Sequence, residues 1–192
     1  MNRAVPILLS AAALLCPATA PARPSAPYIA EILARNTTGI TDEDGDRTDW
    51  IELFNPNGQP YDLTGCSLSD NPAEPAKWAF PARISIPAGG YLVVFASGKS
   101  RATAGLPLHT SFSIASAGEY LGLTDATGSV ISSFSPSYPP QSANVSWGVI
   151  STVPSLRYAA FNSPTPGTAN NTASAPAPPV SFSPKSRTFP AN

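Results

Sequence analysis

The chain has 192 residues, 42% of them hydrophobic, and a net charge of −1; this is enough for one core of ordinary size and gives no global field toward phosphate backbones or anionic lipid. Residues 1–75 hold ten acids against four bases, residues 76–192 two acids against seven, and no basic run exceeds Lys99 with Arg101. The dense stripe of Lys and Arg with interleaved aromatics that marks a nucleic-acid reader is missing from the sequence.

The first residues, MNRAVPILLSAAALLCPATAPA, combine Arg3, an apolar run from Val5 to Leu15, and small residues at Ala18, Ala20 and Ala22. That is the layout of a secretory signal peptide over residues 1–22, and the run is too short for a membrane span of about 20 residues. Cleavage after Ala20 or Ala22 fits the pattern, and the proline that follows Ala20 favours Ala22. A lipoprotein at Cys16 is disfavoured by Leu15 before it. The mature protein is expected to be exported, soluble and monomeric, with a short extended segment over residues 23–27. Of the 23 prolines, five precede Tyr28 and seven follow Ser163, so both ends are expected to be extended and poorly ordered.

From Tyr28 to Phe161 short apolar runs alternate with Gly, Pro, Asn and Asp every eight to twelve residues or so, the habit of an all-β sandwich or barrel. The predicted strands are YIAEILA, WIELFN, YDLTGCSLSD, KWAFP, RISI, YLVVFAS, FSIAS, YLGLTD, SVISSF and SWGV. Turn residues separate them: DEDGD, NPNG, PAGG before Tyr91, and DATG as a hairpin loop. In WIELFN, Trp50, Glu52 and Phe54 share one face and Ile51 and Leu53 the other, so this strand is expected to be covered on both sides. Once the leader is removed Cys66 is the sole cysteine, which excludes an internal disulfide; its place among apolar residues makes it a packing residue.

After Ser163 the stretch SPTPGTANNTASAPAPP reads as a linker over residues 164–179, too poor in apolar surface to offset its ordering entropy. The alternation VSFSPKSRTF then reads as the incomplete start of a second β domain over residues 180–192, unanchored without partner strands.

Taken in order, YIAEILARN, DEDGDRTDWIELFNPNGQPYDLTGCSLSDN, KWAFP, IPAGGYLVVFASG, LHTSFSIASAGEYLGLTDATGSVI, SWGV and the ending FNSPTPGTAN resemble the bacterial branch of the lamin-tail domain family. The resemblance covers about Tyr28 to Asn170. It implies an immunoglobulin-like β-sandwich over residues 28–163, of a kind appended to secreted or surface proteins beside nucleases, phosphatases, spore-coat kinase-like domains or other β modules. PVSFSPKSRTF is similar to the opening of the immunoglobulin-like module at the C-terminus of chitobiases, with the usual central glycine replaced around Ser186 and Arg187. The nuclear role of animal lamins does not carry over, since no coiled-coil heptads accompany the export signal.

Candidate sites were weighed on residue chemistry. With Asp42 as position one of a helix-loop-helix calcium loop, Asp44 and Asp46 fit positions three and five, but Gly45 falls at four and Leu53 at twelve, so that spacing fails. A looser calcium site from Asp42, Asp44, Asp46, Asp49 and Glu31 stays open beside the favoured reading, a solvated hairpin tip. Glu31 and Glu52 interrupt apolar runs; the expectation is that they face solvent or hydrogen-bond a loop rather than act as a hydrolase pair. His109 has no recognisable partner motif, and Lys99 and Arg101 are read as solvated. Trp50, Trp78, Trp147, Phe80, Tyr91 and Phe112 are read mostly as core, with exposure of Trp78 and Tyr120 the sign to look for in a carbohydrate platform. No catalytic, cofactor-binding or metal residue is assigned. The expected function is an exported, non-catalytic binding or scaffold module with a protein or glycan partner at the cell surface, without nucleic acid or a membrane span. The alternative is an accessory domain of a larger secreted hydrolase or spore-coat-type protein.

Overall fold

The structure, a computed structural model, describes residues 26–172. Its strands are Tyr28–Leu33 (β1), Asp49–Phe54 (β2), Tyr61–Asp62 (β3), Ser67–Ser69 (β4), Trp78–Ala79 (β5), Ser85–Ile86 (β6), Tyr91–Ala96 (β7), Leu108–His109 (β8), Leu121–Thr124 (β9), Val130–Phe134 (β10), Ser146–Ser151 (β11) and Arg157–Phe161 (β12). The larger sheet runs β12-β11-β1-β2-β7-β8, the smaller β10-β9-β4-β5, and β3 pairs with β6 as a separate ribbon. Within the sheets only β7 and β8 run parallel. The chain is an all-β, immunoglobulin-like β-sandwich, as the order of motifs implied. No helix among the described residues is long and apolar enough to cross a membrane.

Register explains the core. On the inner face of the larger sheet Ile29 lies beside Leu53 and Leu92, and Ile32 beside Ile51, Val94 and Leu108. These meet Leu68, Leu121 and Leu123 of the smaller sheet, with Leu63, Trp78, Phe80 and Phe134, in one cluster. Each such side chain, fully buried, contributes about 1.5–3 kcal/mol. Cys66 packs in the same cluster as a buried free thiol.

The turns follow their residues. Asp125 Oδ1 accepts from the amides of Thr127 (2.8 Å) and Ser129 (3.0 Å), closing the DATG hairpin between β9 and β10. Gly128 holds a φ of 86° there, which a side chain would strain.

Several elements differ from expectation. YDLTGCSLSD divides into β3 and β4, which belong to different sheets, because Gly65 at φ 83° redirects the chain between them. FSIAS forms no strand beyond a single bridge of Ser113 to Ser97; the ladder to β7 is made by Leu108 and His109 instead. RYAAF, for which no strand was expected, is the edge strand β12.

The outer face of the larger sheet carries three cross-strand rows. Tyr28, Phe54 and Tyr91 form the first; Gly148, Glu31, Glu52 and Val93 the second; Leu33, Trp50, Phe95 and His109 the third. A bulge between Ile29 and Glu31 aligns the rows on β1 and β2. The expectation that β2 is covered on both sides is met, since Trp50, Ile51, Glu52 and Leu53 are all buried.

The cover comes from residues 162–170, which cross this face as a strap. Pro164 and Pro166 line a cleft with Leu33, Ile40 and Trp50, and Asn170 Nδ2 donates to Ala30 O (3.1 Å) and Val149 O (2.9 Å). Residues 164–170, assigned to the linker on composition, are thus hydrogen-bonded onto the sandwich. The predicted leader (1–22), residues 23–25, the rest of the linker and the segment resembling a second β domain (180–192) lie outside the described residues.

Candidate functional site

Two groups of charged side chains stand out. The first is the middle row of the outer face. Glu31 and Glu52 sit opposite each other on β1 and β2, and both are 0% exposed. Ser146 donates its hydroxyl to Glu31 Oε1, and the Thr165 amide donates to Glu31 Oε2 at 3.1 Å. The Gly167 amide donates to Glu52 Oε2, while Glu52 Oε1 has no hydrogen-bond partner among the described residues.

Burial pushes the Glu52 carboxyl up to about 8, against the opposing bond from Gly167, with nearby Glu31 raising it further. Glu31 is also raised by burial, partly offset by Ser146 and Thr165. Desolvation wins because one or two donors do not replace the water a buried carboxylate gives up. Of the two alternatives for these acids, solvent or a loop, the structure selects the loop. Both buried carboxyls hold the strap.

The second group surrounds the acidic stretch between β1 and β2. The Lys99 ammonium lies 2.5 Å from Asp42, 2.7 Å from Asp44 and 2.8 Å from Asp46. Arg101 pairs with Glu43 at 2.5 Å and with Asp44 at 2.7 Å. Buried His109 places Nε2 2.8 Å from Glu43 Oε2 and Nδ1 2.8 Å from Ser97 Oγ, and its ring stacks on Phe95 at 5.1 Å.

Local chemistry shapes the loop before any cation meets it. Asp42 Oδ1 accepts from the amides of Asp44 (3.0 Å) and Asp46 (2.9 Å), and Gly45 takes a φ of 82°. This fold-back aims three carboxylates at one point. Burial alone would raise Asp42, yet Lys99 and the two amides hold it below the usual carboxylate range. Glu43 is lowered to about 2 by its own backbone amide, then His109 and Arg101, and Asp44 to about 2 by Arg101 and then Lys99.

The solvated tip and the solvated Lys99 and Arg101 are therefore corrected. Loop and cations neutralise one another across 53 to 58 residues of chain. Of the residues considered for calcium, Asp42, Asp44 and Asp46 converge. The ammonium of Lys99 stands at their meeting point, where a cation would have to sit. Asp49 is elsewhere, accepting from the Asn36 amide at 2.9 Å, and Glu31 is under the strap. A charged amine between carboxylates is held as an ion, and its pKa is raised; it is no nucleophile. His109, read as lacking a partner, finds one in Glu43, 66 residues away.

The carbohydrate platform on Trp78 and Tyr120 does not form: Trp78 is buried and packs edge-on against Phe80 at 4.9 Å. Trp50, Phe80 and Phe112 are buried too. Sequence reasoning passed over the first outer row. There the Tyr28 and Phe54 rings lie 5.5 Å apart and Phe54 and Tyr91 4.6 Å apart. They line a cleft of about 250 Å³ with Val149, Ile150 and Asn170. Its only sequence signal was an aromatic at the same end of each of three strands.

Comparison with known families agrees with this architecture. The family model described as Lamin Tail Domain matches residues 22–137, spanning β1 to β10 and both halves of the charged cluster. No curated protein matches the chain.

Proposed function

Because the chain belongs to the lamin tail domain family, we propose that it is an exported, non-catalytic binding or scaffold module that acts at the cell surface or outside the cell on a protein or glycan partner. The observation that carries this reading is the use made of its buried ionisable groups. Glu31 and Glu52 hold the strap, and Asp42 and His109 hold the acidic loop against β7 and β8. Each is committed to joining chain segments, which suits a rigid display module rather than a reaction centre. Export is supported by the leader pattern of residues 1–22.

The test is to recover the protein from cells that make it, from the medium and the envelope. Mass spectrometry is expected to find a chain beginning at Arg23, and cross-linking on intact cells to join it to an envelope protein or glycan. Retention inside the cell with Met1 still attached would refute the reading.

A further inference from the structure

We propose that the proline-rich residues 173–180 of this same chain dock in the aromatic cleft formed by Tyr28, Phe54 and Tyr91. The cleft comes first in the argument. Its floor is a cross-strand aromatic row, and Val149 and Ile150 form its other side. Phe54 and Tyr91 are half-buried, leaving ring surface to cover. At about 250 Å³ it is smaller than the roughly 300–1,000 Å³ of small-molecule sites. That size suits one or two inserted side chains. Aromatic-lined grooves of this kind take up proline in the polyproline II conformation, which is stiff before binding and loses little entropy.

The path of the chain supplies the occupant. Asn170 lines the cleft, and its amide bonds to Ala30 O and Val149 O fix the chain at the rim. The next residues read NTASAPAPPV, with prolines at 176, 178 and 179 and no charge before Lys185. Three residues per turn put Pro176 and Pro179 on one face. An extended chain of six residues, from Asn170 to Pro176, reaches about 20 Å, so the cleft lies within range. Tethering also supplies an effective concentration in the millimolar range, enough to populate a contact that would be weak between separate molecules. A glycan is less well served, because the Asn170 amide donors are already spent on backbone carbonyls.

The experiment uses the mature chain and its double variant P176A/P179A. Isotope-labelled protein is expected to show nuclear Overhauser contacts between the proline δ protons and the rings of Phe54 or Tyr91. Nitration of Tyr91 by tetranitromethane, read by peptide mapping, should be several-fold faster in the variant. Absence of those contacts together with equal nitration would overturn the proposal. So would contacts seen only between differently labelled molecules, which would assign the cleft to a second copy. Equal shifts at Tyr91 in both proteins on adding chitohexaose would overturn it as well, as a cleft already open to glycan.

Discussion

Glu31 and Glu52 face each other across the β1–β2 ladder, and the same loop reaches both, Thr165 to one and Gly167 to the other. Two acids from the first strands thus anchor a segment that arrives more than a hundred residues later. Closing the strap removes their water, so the closed form favours the protonated carboxyl.

Stability should therefore fall as the medium turns alkaline. Glu52 titrates at about 4.5 when unfolded and about 8 when folded, so between those values the folded state holds a proton that the unfolded state has lost. The contribution is fully present below 4.5 and lost as pH rises through 8, at up to about 1.4 kcal/mol per pH unit. Urea titrations of wild type and Glu52→Gln from pH 5 to 9 are expected to show a shallower decline in the variant. Parallel curves would contradict the assignment.

The acidic loop works in the opposite direction. Glu43 and Asp44 stand near 2 in the fold against 4.5 and 3.8 otherwise, and Asp42 is lowered too. Their contribution is present above about pH 4.5 and disappears as pH falls toward 2. With Glu52 opposing from the alkaline side, the melting temperature should peak near pH 4 to 5. A maximum at neutral pH would show that one of the two groups is misjudged.

Lys99→Met should lower the melting temperature by leaving Asp42 buried without its cation. The variant also leaves three carboxylates converging on an empty point. Calcium is expected to raise the melting temperature of Lys99→Met and to leave wild type unchanged, because the ammonium already fills that position. Equal responses of the two proteins would mean that the ammonium does not exclude the ion.

A fourth test concerns Gly148, where an added Cβ would fall 2.7 Å from Asn170 Nδ2 and 3.2 Å from Ala30 O. Gly148→Ala should displace Asn170 and loosen the strap, at a cost of about 1–3 kcal/mol. Faster amide hydrogen exchange at Thr165 and Gly167, with β9 and β10 unchanged, would distinguish this from general unfolding.

Much of the sandwich was legible because its strands announce themselves locally. Ile29, Ile32, Ile51, Leu53, Leu121 and Leu123 obey alternation, and Asp125 with Gly128 marks its own hairpin. The charged site was not legible in this way. The acidic loop looks like a solvated turn until Lys99 and Arg101 arrive from beyond β7, and no local rule places an ammonium among carboxylates so far away in sequence. Glu31 and Glu52 look misplaced for a similar reason, since the amides that satisfy them belong to a stretch whose composition reads as linker. The edge strand β12 hid behind the prolines and serines that precede it.

The strap also sets an order of events during synthesis. The first two strands leave the ribosome with carboxyls destined for a dry interior, while the loop that covers them is made last. Until residues 165–170 emerge, that side of the sheet remains wet and ionised. Such dependence on distant contacts slows folding, and a polypeptide that stays unfolded until it is finished is one that a translocation channel can still thread.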